Sequence, residues 1–324
     1  MKDLLNLKKI AAGLFFVLAF TACSDDDDDT AVPVVETNTI ADFVASNDDY
    51  SSLAAALEVT GLTSTLDGTQ NYTVFAPDND AFAAFLSDNG FSTLADVPVD
   101  LLTQVLLNHV QMGEIMAADL STGYIESMAT GSASEENLSM YISTENGVMI
   151  NGIATVTAAD IEVDNGIIHA VDEVIGLPSV VTFALADPTF DSLVAALTRE
   201  DDFTFVSTLM ETGSPAPFTV FAPTNEAFAA LLGELEMNSL SDIPEDILAS
   251  VLSYHVVAGA NVRSSALTDD MEVSTLLGQS FTIDLDNGAV ITDASGRTAN
   301  IIVVDVQANN GVVHVLDTVL LPAM

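Results

Sequence analysis

Four histidines are the residues of this chain best suited to chemistry: His109, His169, His255 and His314. Asp172 and Asp317 stand three residues beyond the second and fourth. A His–Asp pair beside a Ser or Thr is the raw material of a hydrolytic triad. The surroundings argue against that chemistry. His169 lies within Ile167-Ile168-His169-Ala170-Val171, and on a period-two reading Ile167, His169 and Val171 share one face of an apolar strand. No G-x-S-x-G elbow is present, and the single cysteine, Cys23, is far from the histidines in sequence. A buried histidine that bonds a neighbouring backbone group or its companion histidine explains the same residues. The expectation is therefore structural: no catalytic residue, with His109 and His169, and likewise His255 and His314, close enough in principle to meet, or each bonded to backbone. Asp284-Leu285-Asp286-Asn287-Gly288 opens like a calcium loop, but the bidentate Glu expected near its end is missing, and Asn-Gly is a strong hairpin signal. No metal site, phosphate-binding loop or dinucleotide-binding glycine pattern is expected, and no cofactor.

The segments that position the histidines occur twice. Thr73-Val74-Phe75-Ala76-Pro77, followed by Asp78-Asn79-Asp80-Ala81-Phe82, returns 146 residues later as Thr219-Val220-Phe221-Ala222-Pro223 and Thr224-Asn225-Glu226-Ala227-Phe228. The same offset carries His109-Val110 onto His255-Val256, and an offset of 145 carries Asn165-Gly166-Ile167-Ile168-His169 onto Asn310-Gly311-Val312-Val313-His314. This is a duplicated domain. In each copy amphipathic helices come first, including Tyr50 to Leu57 and its counterpart from Phe190 to Leu197. Apolar strands ended by Pro77 and Pro223 follow. Next come helices capped by Asn79 and Asn225, or by Asp78 and Thr224 beside them, and helices with Pro98 and Pro244 in their first turns. Then the text turns β-like: Leu138 to Ser143, Gly147 to Ile150, Ile153 to Thr157, and a closing strand from Ile167 to Ile175. The second copy repeats the plan and closes with Val312 to Leu320. Helices gathered before strands predict an α+β fold. The junction Gly176-Leu177-Pro178-Ser179 is short enough to predict two domains in fixed or narrowly hinged contact.

Three stretches, kept in order in both copies, resemble the fasciclin-like domain: T-V-F-A-P-x-N-x-A-F, a histidine closing an apolar helix, and N-G-x-x-H-x-x-D. In that family the second stretch reads Tyr-His, as Tyr254-His255 does here, whereas Asn108-His109 departs from it. The resemblance implies two tandem domains, 39–178 and 179–324, each a β-sandwich or wedge with helices packed at one side. His109, His169, His255, His314, Tyr254, Asn79, Asn225, Pro77 and Pro223 are then the residues of the structural motif. It also implies a non-catalytic role in adhesion or extracellular recognition of a protein or polysaccharide. The apolar setting of Tyr254 speaks for burial rather than contact.

The beginning of the chain reads as an address. Lys2, Lys8 and Lys9 precede the apolar run from Ile10 to Phe20, and Thr21-Ala22-Cys23 resembles a bacterial lipobox. Residues 1–22 are thus expected to be a signal peptide and Cys23 a lipidated residue that holds the chain to a bilayer. Residues 23–38 follow as an acidic tether, in which Asp25 to Asp29 resemble the export signal of Bacteroidota surface lipoproteins. The expected location is the outer membrane, facing out. Of 6 basic and 48 acidic residues, cleavage after Ala22 leaves 3 and 47, a net charge of −44. Such a surface repels nucleic acid and attracts divalent cations weakly. The alternative is a periplasmic or surface carrier with a small ligand in an apolar pocket between the domains.

Overall fold

The computed structural model describes residues 38–286 and 288–323. The expected signal peptide and Cys23, nearly all of the expected tether, Asn287 and Met324 lie outside the described residues.

The first copy begins with α1 (Ile40–Ser46), α2 (Ser51–Thr60) and α3 (Thr63–Leu66). The Thr39 hydroxyl accepts from Asp42 N and the Asp42 carboxylate accepts from Thr39 N, a capping box that starts α1. At the end of α2, Gly61 takes a left-handed φ of 72°. Strand β1 (Tyr72–Pro77) leads into α4 (Asn79–Asp88) and α5 (Val99–Leu107), and then come β2 (Val110–Met112), β3 (Gly123–Thr130), β4 (Asn137–Ser143), β5 (Met149–Ile150), β6 (Ala154–Val163) and β7 (Gly166–Val171). The second copy repeats the order as α6 (Val180–Ala186), α7 (Asp191–Leu197), α8 (Phe205–Met210), β8 (Phe218–Pro223), α9 (Asn225–Glu234), α10 (Glu245–Tyr254), β9 (Val256–Ala258), β10 (Met271–Ser274), β11 (Ser280–Asp284), β12 (Val290–Thr292), β13 (Thr298–Ala308) and β14 (Gly311–Leu316).

Each copy makes a seven-stranded mixed sheet, in the order β2-β1-β7-β6-β5-β4-β3 and, equivalently, β9-β8-β14-β13-β12-β11-β10. The central pair is parallel and sets Phe75 beside His169 and Phe221 beside His314. All other strand pairs are antiparallel. This is the expected α+β architecture. Both central strands are buried along their whole length. One face, with Val74, Ala76, Ile168 and Ala170, packs under the helices. The other, with Phe75 and Val171, packs against Met140, Ile142 and Ile150 of the sheet's far half. Two cores on either side of one strand pair explain why these runs read as continuously apolar.

Several boundaries differ from the sequence reading. Pro98 and Pro244 are N-cap residues, one position before the first turn. The closing strands stop at Val171 and Leu316, not Ile175 and Leu320. They leave the ladder because Asp172 turns its carboxylate onto Thr155 N at 2.6 Å and Asp317 onto Asn300 N at 2.8 Å. Strand β6 runs well past Thr157, and its counterpart β13 lies where no strand was expected; both shift register on the way to Asp160 and Asp305. Both aspartates have left-handed φ, 60° and 61°.

The two copies touch through polar and aromatic contacts. Asn309 O accepts from Ala133 N at 2.9 Å and from the Ser132 hydroxyl at 2.9 Å, and Gln307 N donates to the Ser139 hydroxyl at 3.0 Å. Gly131 is needed there, since a Cβ would come within 2.7 Å of Asn309 Cα. Tyr124 stacks edge-on against Phe183 at 5.6 Å and donates its hydroxyl to Asp187 at 2.9 Å. Burial first, and the Asp187 carboxylate second, raise the Tyr124 pKa and push Tyr141 up to about 12.

Candidate functional site

Each copy holds its two histidines in opposite ways. His109 follows the last turn of α5, where Nδ1 donates to Val105 O at 2.7 Å and Nε2 accepts from Ile175 N at 2.8 Å. His255 repeats this with Val251 O at 2.7 Å and Leu320 N at 2.9 Å. A carbonyl can only accept and an amide N–H can only donate, so the ring is neutral with its proton on Nδ1. Burial drives the pKa of both rings down to about 4, although the carbonyl bonds pull the other way. These rings fasten the helix end to the chain that leaves the last strand.

His169 and His314 carry the proton on the other nitrogen. Nε2 donates to Ile115 O at 2.9 Å in the first copy and to Val262 O at 2.8 Å in the second. Nδ1 accepts from Asp160 N at 3.2 Å and from Asp305 N at 3.4 Å. Each ring therefore closes the bulge of the long strand and packs against the neighbouring phenylalanine, 5.5 Å from Phe75 and 5.4 Å from Phe221. Burial lowers the pKa of His314. The loop receiving Nε2 is fixed by Thr73, whose hydroxyl donates to Gly113 O at 2.8 Å and accepts from Ile115 N at 2.9 Å; Thr219 does the same with Ala260 O and Val262 N.

Of the two arrangements open to the histidines, bonding to backbone and bonding to each other, the structure shows the first. Each ring spends both nitrogens on backbone atoms, because two separate chain crossings each present one unpaired carbonyl and one unpaired amide. Neither Asp172 nor Asp317 pairs with a histidine, since both serve backbone amides; a carboxylate oxygen of Asp160 stands 3.9 Å from His169 Nδ1, too far for a hydrogen bond. With no free ring nitrogen, these histidines neither transfer protons nor ligate a metal as they stand. Among the described residues, no group of three His, Cys, Asp or Glu side chains is placed to hold a metal ion.

The other motif residues serve the same end. Asp78 and Thr224 cap α4 and α9, while Asn79 and Asn225 reach back to the preceding helix: Asn79 accepts from Ser52 N at 2.8 Å and donates to Asp48 O at 2.8 Å. Asn225 bonds Ser192 N and Pro188 O, each at 2.8 Å. Pro77 and Pro223 end the parallel pairing opposite Val171 and Leu316. Tyr254 is fully buried; its hydroxyl donates to Ser280 O at 2.8 Å and accepts from Ala294 N at 3.0 Å. At the matching position Asn108 donates to Gly176 O at 3.0 Å. Sequence reading singled out neither Asn165 nor Asn310 as a site. Asn165 Nδ2 donates to Leu66 O and Gly68 O, and its Oδ1 accepts from Ile40 N, tying the first helices to the sheet. The exact repeat of Asn-Gly was the available signal. Gly166 and Gly311 follow because a Cβ there would collide with the carbonyl oxygens of Tyr72 and Phe218.

The profile of the fasciclin domain matches residues 48–178 and 188–322. The chain belongs to the fasciclin family. Protein sll1483 of Synechocystis sp. is 40% identical over 146 residues, 45% of this chain and 74% of the relative. Transforming growth factor-beta-induced protein ig-h3 of Sus scrofa is 27% identical over 259 residues, which make up 79% of this chain but 35% of that longer protein. Among solved structures, a FAS1 domain pair from the insect cell adhesion molecule Fasciclin I shares the fold, with a TM-score of 0.52 at 19% identity, covering 83% of this chain and 97% of that one.

Among the described residues the two fasciclin domains differ in a cleft that could receive a ligand. A cleft of about 660 Å³ runs beside α4 and α5 of the first domain, lined by Phe85, Leu101, Val105, Val174 and Leu177, with Asp88 and Glu173 also on its walls. Asn309 of the second domain also borders it. The matching space beside α9 and α10 has only about 20 Å³ free and includes Leu321 in its lining.

Proposed function

We propose that this protein is a non-catalytic surface lipoprotein whose fasciclin pair mediates adhesion or extracellular recognition. The observation that carries the non-catalytic part is the complete engagement of all eight ring nitrogens of the four histidines by backbone groups. Family membership supports the recognition part, because fasciclin domains occur in adhesion proteins such as the insect molecule above. Cys23 would carry the acyl chains that enter the outer membrane, and the Asp25–Asp29 run would hold the domains away from it on the outer side. Partners are an extracellular protein or a polysaccharide, with divalent cations condensing weakly on the acidic surface. Nucleic acid is an unsuitable partner for a mature chain with 3 basic and 47 acidic residues.

The carrier alternative draws on one observation, the cleft at the domain boundary. Exposed Leu101 and Ile153 on its walls suit an extended segment better than an enclosed small molecule.

Proteinase K treatment of intact cells tests the location, with native protein compared with a variant whose Asp25 to Asp29 are replaced by Asn. Digestion of the native protein and protection of the variant is the expected result. Protection of both in intact cells, with digestion after lysis, would place the domains in the periplasm and remove surface adhesion.

A further inference from the structure

The second domain fills its own groove, and the way it does so shows what the first groove lacks. Leu321 lies among Leu231, Ile247, Leu248 and Val251 of α9 and α10. Two residues of the turn between β12 and β13 help to hold it there. Asp293 accepts from Leu321 N at 2.8 Å, and Arg297 donates to Val319 O at 3.1 Å and to Glu234 at 2.9 Å. The histidine bonds fix the structural equivalence, since Ile175 N and Leu320 N meet His109 and His255 in the same way. Gly176 therefore takes the place of Leu321, and Asp88 that of Glu234. The turn shrinks from residues 293–297 to Asn151-Gly152-Ile153 and brings no basic side chain. The first groove is left with an apolar floor that no side chain fills and with Asp88 and Glu173 free of any ion pair.

We propose that this groove is a docking site for an extended segment of a partner protein that carries a large aliphatic side chain beside an Arg or Lys. The aliphatic group takes the place that Leu321 occupies in the second domain, and the cation takes the place of Arg297 against Asp88. A second copy of this chain is a poor occupant. Its three arginines are already engaged, Arg199 with Glu200, Arg263 with Asp305 and Arg297 with Glu234, and two chains this acidic repel each other. The assignment rests on reading the pair as a recognition module but fails separately from it: shaving reports location, whereas binding to the purified protein reports the groove.

The test is fluorescence anisotropy with a labelled peptide, Arg-Thr-Val-Leu-Leu-Pro, which copies the second domain's own segment with the cation added. Gly176→Leu is the main variant; an added Cβ at Gly176 meets nothing within 4 Å, so the domain accommodates it. Leu101→Ser, on the exposed groove wall, is the second. Saturable binding to the wild type is expected, weakened about tenfold or more by Gly176→Leu, the loss that follows when one aliphatic side chain can no longer be buried. Leu101→Ser should weaken it severalfold, and replacing the peptide Arg by Gln should remove its salt dependence. No saturation up to about 1 mM, or equal binding by wild type and both variants, overturns the proposal. Dimerisation abolished by Gly176→Leu would assign the groove to a second copy and overturn it as well.

Discussion

Acidification should unfold this protein through His109 and His255 before most of its carboxylates are protonated. Both rings accept a backbone N–H on Nε2, so a proton added there would face the donor of Ile175 or Leu320 inside an apolar core. Burial holds their pKa near 4, against 6.5 for the free side chain. Between these values the unfolded chain binds a proton that the folded chain refuses. Stability is therefore complete above pH 6.5, falls as pH drops towards 4, and levels off below. The slope is about 1.4 kcal/mol per pH unit for each histidine, which accumulates to roughly 2.5 kcal/mol each by pH 4.5. His314, also lowered by burial, adds in the same direction. Repulsion among the many carboxylates acts the opposite way, because protonation relieves it, and high salt suppresses that contribution. Urea unfolding followed by far-UV circular dichroism in about 0.5 M NaCl, from pH 7 to 4.5, gives the slope directly. His109→Gln should destabilise the protein at pH 7 by about 2–4 kcal/mol, because two buried backbone groups lose their partner, and should flatten the slope by the share of one histidine. A stability that is level or rises between pH 6.5 and 4.5 in high salt would refute the argument that these rings are locked neutral.

Two further outcomes follow from the same packing. Gly311→Ala drives a Cβ into the carbonyl oxygen of Phe218 and should cost at least about 3 kcal/mol, read as a fall in Tm or as loss of soluble protein. Tyr124→Phe removes a hydroxyl that donates to the buried Asp187 across the domain boundary; a loss of about 1.5–3 kcal/mol is expected in chemical unfolding, with the boundary made more sensitive to thermolysin, and no change in either would show that the contact does not hold the domains.

The sequence displayed the skeleton of this fold because the residues that repeat are those that satisfy buried backbone groups. Thr73 with Thr219, the four histidines, Asn165 with Asn310 and Gly166 with Gly311 all sit where two chain segments cross, and each crossing tolerates few side chains. What could not be read was which atoms they serve. His109 meets Ile175 and His169 meets Ile115, partners 66 and 54 residues away that no local pattern links. Strand β3 escaped notice because its residues are half-buried without clean alternation, since one end packs on the other domain. The groove was visible only as a mismatch between copies, Gly176 against Leu321. Its meaning required knowing that Leu321 lies between two helices.

The departures between the copies gather at the segment that follows the last strand of each. In both domains the chain after the last strand docks on a histidine, Ile175 on His109 and Leu320 on His255, but in the second domain the next residue, Leu321, fills the groove. In the first domain the same segment continues into α6. Beyond its bond to His109 it is held by Asn108 on Gly176 O and by Asn309, whose N–H donates to Pro178 O at 2.7 Å. Asn108 replaces the tyrosine of the second domain, and that tyrosine could not make this bond while its hydroxyl is committed to Ser280 and Ala294. The onward segment of the first domain still buries Val174 and Ile175 in its own cores, but at the place of Leu321 it has only Gly176. The open groove of the first domain thus goes with Gly176 standing at the place of Leu321, and Asn309 of the second domain borders it. Recognition by such a pair would be asymmetric even though its two halves share one fold.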